Sequence, residues 1–131
     1  MLVREFYSFE KLTLDELRYR KLASLLVEDQ TVGRLLLGFE DNEIAGYAVV
    51  GFGFSLEFGG RDALLDELYV RQEFRGRGLG SQFISAVEEI CRAEEITAVH
   101  LEADHFNARA HDYYKRLGFR DHERHLMTKW L

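Results

Sequence analysis

A chain of 131 residues, 47% hydrophobic and 13% aromatic, carries enough apolar side chain for one packed domain over residues 1–131, which excludes intrinsic disorder. Its formal net charge of −6 disfavours DNA or RNA as a partner and suits a cationic small molecule. No apolar run approaches membrane-spanning length, Met1 to Phe6 is no signal peptide, and the single cysteine, Cys91, excludes an internal disulfide. The expected setting is therefore a reducing cytoplasm, with no membrane partner.

In chain order, Leu2, Phe6 and Phe9 lie at helical spacing and mark the end of a first helix. Thr13-Leu14-Asp15-Glu16 has a capping-box pattern that opens a second helix reaching about Glu28, with Leu17, Leu22, Leu25 and Leu26 as its buried face. Gly33 to Phe39 reads as a strand, Asp41-Asn42-Glu43 as a tight turn and Ile44 to Ser55 as a second strand, together a hairpin. Phe58-Gly59-Gly60-Arg61-Asp62 breaks the chain before a strand from Leu64 to Val70. A glycine-rich loop follows, then an amphipathic helix whose stripe is Leu79, Phe83, Val87, Ile90 and Cys91. Ile96 to Ala103 is a further strand, and Asn107 to Leu117 a helix closed by Gly118. Phe119 to His122 and His125 to Leu131 complete the chain as a closing pair of strands.

The loop carries the chemistry. Gly76, Gly78 and Gly80 alternate with Arg75, Arg77 and Leu79 between a strand and a helix. Backbone bare of side chains at a helix start turns several N–H groups into one concavity, with the positive end of the helix dipole behind it. Such a concavity holds a phosphate or pyrophosphate. The dinucleotide fingerprint is excluded because Ser81, Gln82 and Phe83 follow Gly80 where a third glycine is required. The P-loop is excluded because no Gly-Lys-Ser or Gly-Lys-Thr is present.

What remains is Arg-x-x-Gly-x-Gly, carried by Arg75, Gly78 and Gly80 after a strand ending Leu68-Tyr69-Val70. This resembles the acetyl-CoA-binding motif of the GNAT superfamily of N-acetyltransferases. The resemblance implies acetyl-CoA as cosubstrate. Backbone from Gln72 onward, chiefly Arg75, Gly76, Arg77, Gly78, Leu79 and Gly80 with Ser81 behind them, would cradle its pyrophosphate. Leu68, Tyr69 and Val70 would supply backbone bonds to the acetyl group and the pantetheine arm. The element order also resembles the GNAT fold: α/β (α+β), a mixed and mostly antiparallel twisted sheet flanked by helices. One departure is that helical spacing already begins at Leu2, so the usual N-terminal strand is expected to be missing. A second subunit, in a homodimer, is one way to cover the sheet edge this leaves.

A second stretch runs Asn107-Ala-Arg-Ala-His-Asp-Tyr-Tyr-Lys-Arg-Leu-Gly-Phe119. On a helix Asn107, His111 and Tyr114 share one stripe, with its ends about 10 Å apart. Taken alone, Tyr113 and Tyr114 read as packing aromatics. The stretch resembles the second GNAT motif, Asn-x-x-Ala, then tyrosine, then Leu-Gly-Phe. That resemblance implies that Asn107 contacts the CoA arm and that Tyr114, four residues before Gly118, binds there and acts as general acid. A phenol with a pKa of about 10 keeps its proton near neutrality and can give it to a departing thiolate. His111 is the fallback donor.

An amine nucleophile must lose a proton, and carboxylates near the third strand can take it. Regular alternation puts Asp62 and Asp66 on one face and Glu67 on the other. Asp66 is the first choice as base or water-holding carboxylate and Glu67 the second, since a bulge would exchange the faces. The implied reaction is direct attack of a primary amine, on a small molecule or a peptide, upon the thioester in a ternary complex. No nucleophile is set up: Cys91 lies on an apolar stripe, and Gly53-Phe54-Ser55-Leu56-Glu57 lacks the closing glycine of a nucleophile elbow. Glu57, Phe52 and Phe54 are candidate walls of the acceptor pocket or, equally, packing residues.

Three rival readings are weaker or keep the same fold. Gly51-Phe52-Gly53-Phe54 partly matches an RNA-binding strand signature, but Val50 replaces its leading basic residue and Phe58 stands one place late. His100, Asp104, His105, His122 and His125 lack the companions of a metal site, so no metal is expected. The third keeps the fold without the chemistry, as a non-catalytic acyl-CoA-binding sensor or interaction module.

Overall fold

The computed structural model describes residues 2–131, which divide into one unit ending at Leu101 and a second, Glu102–Leu131. In the first unit α1 (Leu2–Phe9) and α2 (Glu16–Glu28) precede a hairpin of β1 (Gly33–Glu40) and β2 (Glu43–Ser55). There follow β3 (Gly60–Val70), a single 3-10 turn (Gln72–Phe74), α3 (Leu79–Ala93) and β4 (Ala98–Leu101). Asp41 and Asn42 both take positive φ, which is what a two-residue hairpin loop demands and what these residue types tolerate. The four strands form one sheet in sequence order, antiparallel from β1 to β3 and parallel between β3 and β4. The mixed, mostly antiparallel sheet agrees with the expected fold class, and among the described residues no strand precedes α1, so β1 is an edge strand.

The sheet separates two kinds of packing. On one face α3 buries Leu79, Phe83, Val87 and Cys91 of the expected stripe, together with Ile84, while Ile90 stays half-buried. On the other face Leu2, Val3 and Phe6 of α1 and Leu26 of α2 pack against Tyr47, Val49 and Tyr69, yet neither helix buries a residue fully. The expected buried face of α2 is thus corrected: Leu17 is 84% exposed, Leu22 50% and Leu25 48%. An apolar stripe says which side of a helix prefers cover, and only the neighbouring elements decide whether cover arrives. The cap of α2 is Asp15, whose carboxylate accepts from the Arg18 N–H at 3.1 Å, one residue pair later than the expected Thr13 box.

β3 holds the feature that matters most. Val49 pairs with Glu67 and Val50 with Leu65, so Asp66 is an extra residue in the β3 ladder. Val49 and Val50 point to opposite faces, and the bulge therefore carries Glu67 over to the face that Asp62 shares through its partner Gly53. The regular alternation expected for this strand does not hold, and the exchange a bulge would cause does.

In the second unit α4 (Ala108–Arg116) is capped by Asn107 and closed by Gly118 at φ +96°. The closing strands expected at Phe119 to His122 and His125 to Leu131 do not form. A strand needs a neighbouring strand to form a ladder, and among the described residues the sheet holds only β1 to β4.

Candidate active site

The glycine loop folds as its sequence requires. Gly76 and Gly78 sit at φ +76° and +83°, in the left-handed region that side chains resist, and a Cβ on either would meet nothing within 4 Å. Their backbone therefore borders open space at the N-terminus of α3. The first helical bond runs from the Gln82 N–H to the Gly78 carbonyl at 3.0 Å, so the amides of Gly78, Leu79 and Gly80 precede the intrahelical ladder. The arginines brace the loop. Arg75 donates from Nε to the Val70 carbonyl at 2.8 Å and stacks 4.8 Å above the Phe9 ring. Arg77 pairs with Glu40 at 3.6 Å and lies 5.6 Å above Phe74. Left-handed glycines beside open space at a helix N-terminus fit a pyrophosphate.

Beside this loop β3 is only half covered. β4 pairs with residues Asp62 to Leu65 and no further, so among the described residues the stretch Glu67, Leu68, Tyr69 and Val70 has a strand neighbour on the β2 side alone. Its other edge is a row of peptide groups fit for an extended ligand.

Glu67 is the chemical centre of the opposite face. It is 9% exposed and accepts from three phenols: Tyr7 at 3.0 Å on Oε1, and Tyr19 and Tyr47 at 2.8 Å each on Oε2. Burial, then the Glu67 charge, pushes the Tyr7 phenol up to about 12. Burial with the same carboxylate pushes Tyr19 and Tyr47 up as well. The phenols stay protonated and donate, which is how a buried carboxylate is kept satisfied without a cation. Sequence reading missed all three tyrosines. They arrive from α1, α2 and β2, and no local pattern links them.

Asp66, by contrast, is exposed and lies on the wall of a groove of about 360 Å³ between α2 and the sheet. Leu22, Leu25 and Leu26 form one side; Val49, Gly51 and Leu64 form the other. Asp62 is held by His100 at 3.2 Å. Phe52 lies under the Arg34 and Arg61 guanidiniums, at 5.2 and 5.5 Å, and Phe54 is 71% exposed, so neither forms the groove wall. The bulge thus brings Asp62, Asp66 and Glu67 to one face, in three environments.

In the second unit Asn107 spends its carboxamide oxygen on the Ala110 N–H at 3.1 Å, a capping bond that does not use its NH₂ group. His111 has both ring nitrogens engaged, Nε2 with the Asp104 carbonyl at 3.1 Å and Nδ1 with Asp121 at 3.5 Å. Lys115 pairs with Asp121 at 2.9 Å and holds that carboxyl below its usual range. Tyr114 lies half-buried with its ring 5.8 Å from Phe119.

Residues 2–119 match the acetyltransferase (GNAT) family. The chain belongs to the GNAT family. Among curated relatives, thialysine N-epsilon-acetyltransferase of Bos taurus is 36% identical over 78 residues, 60% of this chain and 45% of that one. L-methionine sulfoximine/L-methionine sulfone acetyltransferase of Pseudomonas aeruginosa is 35% identical over 77 residues, 59% of this chain and 44% of that one. The chain thus spans about half the length of the curated relatives it matches. An integron cassette protein from the mobile metagenome of Cole Harbour Salt Marsh superposes with a TM-score of 0.83 at 31% identity, over 99% of this chain and 80% of that one. An aminoglycoside acetyltransferase from an uncultured soil metagenomic sample shares the fold, with a TM-score of 0.76 at 18% identity over 99% and 85%. Among the described residues no helix is long and apolar enough to cross a membrane.

Proposed function

We propose that this GNAT chain is a cytoplasmic, acetyl-CoA-dependent N-acetyltransferase that acts on a primary amine of a small molecule or peptide. The observation that carries the reading is the pair Gly76 and Gly78, both at positive φ beside open space, at the N-terminus of α3. The named activities of the relatives support it, and the family match across both units supports treating 1–131 as one acetyltransferase domain.

Bound acetyl-CoA supplies the thioester carbon that an amine attacks. The amides at Arg75 to Gly80, with Ser81 in the first helical turn, hold the pyrophosphate, and the uncovered edge of Leu68, Tyr69 and Val70 binds the pantetheine arm and the carbonyl oxygen. The Asn107 amide donates to the same arm. Asp66, exposed on the groove, takes the ammonium proton. Glu67, with each oxygen already accepting from phenols, acts by holding Tyr7, Tyr19 and Tyr47 beside that proton acceptor. Tyr114 gives its phenolic proton to the departing thiolate, a role supported by its place four residues before Gly118 in the second motif. A second copy paired along the β1 edge belongs to the same proposal.

The test is calorimetry with acetyl-CoA and CoA, followed by an amine screen that reads released thiol. Tyr114→Phe is expected to lower turnover by about 10²- to 10⁴-fold with CoA affinity within twofold. Indifference to both CoA forms overturns the proposal. CoA binding without turnover on any amine replaces it with the non-catalytic sensor.

A further inference from the structure

We propose that the groove between α2 and the sheet receives the acceptor amine and selects a monoamine on a compact aliphatic body, against polyamines and amino sugars. The proposal rests on the N-acetyltransferase reading and names the substrate class of that site. Three observations converge on it. The groove, at about 360 Å³, lies near the lower end of small-molecule sites, which run from about 300 to 1,000 Å³. Its walls are hydrocarbon from Leu22, Leu25, Leu26, Val49 and Leu64, and Asp66 is the one charged residue lining it among the described residues. Gly51 stands mid-strand between Gly33 and Leu64, and a Cβ there would meet nothing within 4 Å.

The last observation gives the groove its meaning. A glycine inside a strand weakens it and marks a place where something approaches the backbone closely. Here no side chain among the described residues does so. Leu22 and Leu25 stay half exposed above the sheet rather than closing down on it. A single ammonium can meet Asp66 while the methylenes behind it lie on leucine and valine. A second ammonium, or the hydroxyls of a sugar, would be pressed against hydrocarbon with nothing to bond.

Thiol release is measured for propylamine, butylamine, pentylamine and hexylamine, with spermidine and an amino sugar for contrast. The expected kcat/KM rises about three- to fourfold per methylene, and hexylamine exceeds spermidine at least tenfold. Gly51→Val, which puts a side chain into the groove, and Leu25→Asn, at a half-exposed position, each flatten the series. A turnover-independent arm titrates hexylamine by calorimetry into protein saturated with CoA, and into protein alone. Binding at least tenfold weaker in Gly51→Val supports the proposal, even where no amine turns over. A flat series, a preference for spermidine, or hexylamine heats absent or equal in both proteins overturns it and leaves the acetyltransferase reading standing. Sedimentation completes the set: a dimer broken by Gly51→Val, with no hexylamine bound, overturns the proposal in favour of a second copy on this face.

Discussion

On the α3 side of the sheet Gly38 and Gly46 are cross-strand partners, and the Phe83 ring occupies the place their side chains would take. A Cβ on Gly38 would stand 2.6 Å from the tip of that ring. On the α2 side Gly51 offers the same absence of a side chain, and none of the described residues fills it. The same residue type is a lock on one face and an opening on the other. The difference follows from what covers each face. α3 delivers five buried side chains, whereas α1 and α2 deliver none and are tied down through the phenols on Glu67. A face closed by hydrocarbon makes a fixed platform for the glycine loop. A face held by a polar hub leaves the groove above Gly51 open.

The comparison breaks most visibly at Phe83. Phe83→Ala removes the ring over both glycines and is expected to cost about 3–5 kcal/mol of stability, read from urea denaturation. A loss below about 1 kcal/mol would mean that the α3 face is no better packed than the other. Gly38→Ala attacks the same contact from the sheet, at an expected cost of about 1–3 kcal/mol by overpacking. Combined with Phe83→Leu it should cost less than the sum of the two, because the shortened side chain makes room for the new methyl.

The hub on the other face gives an effect of similar size with a different signature. Glu67→Gln turns one acceptor oxygen into a donor facing phenols and is expected to cost about 1–3 kcal/mol. Alkaline pH separates this from a packing loss. The Tyr7 phenol rises from its ordinary 10 to about 12 in the folded state, through burial first and the Glu67 charge second. A group whose folded pKa is raised contributes stability below the unfolded pKa and loses it above, here from about pH 10 to about 12. Stability of the wild-type chain should therefore fall over that window, and Glu67→Gln, lacking the charge, should fall less steeply. Denaturant unfolding at pH 8 and pH 11, with phenolate absorbance recorded alongside, reads both. Equal slopes would remove the hub from the account.

Much of this arrangement was legible in the chain. Most of the α3 stripe, the Asp41-Asn42 turn, the Gly118 close of α4 and the glycine loop all depend on residues a few positions apart, and local spacing carries local demands. The α2 leucines misled because amphipathicity does not report whether a neighbour closes over it. Thr13 and Asp15 are both good caps, and only the backbone path chose between them. The bulge at Asp66 is a property of two strands, set by how β2 and β3 run in register, so one strand read alone put Glu67 on the wrong side. The Glu67 hub was further out of reach, since Tyr7 and Glu67 are 60 residues apart in sequence and nothing near either one announces the other. Gly51 was visible as a glycine within a strand, a sign of close approach that the neighbouring phenylalanines drew toward another reading.

The smallest expected effect is the one that separates the faces most cleanly. Gly51 lies outside the left-handed region of φ, so alanine can adopt its backbone without strain, and its methyl meets nothing within 4 Å. Removing glycine also narrows the unfolded ensemble, which stabilises by about 0.4–1 kcal/mol where the native conformation is compatible. Gly51→Ala should therefore raise the denaturation midpoint slightly, while Gly38→Ala, on the same strand pair, lowers it. A loss above about 1 kcal/mol at Gly51 would show that α2 sits down on the sheet in solution. The groove would then be closed, and the two faces would differ only in the polarity of what covers them.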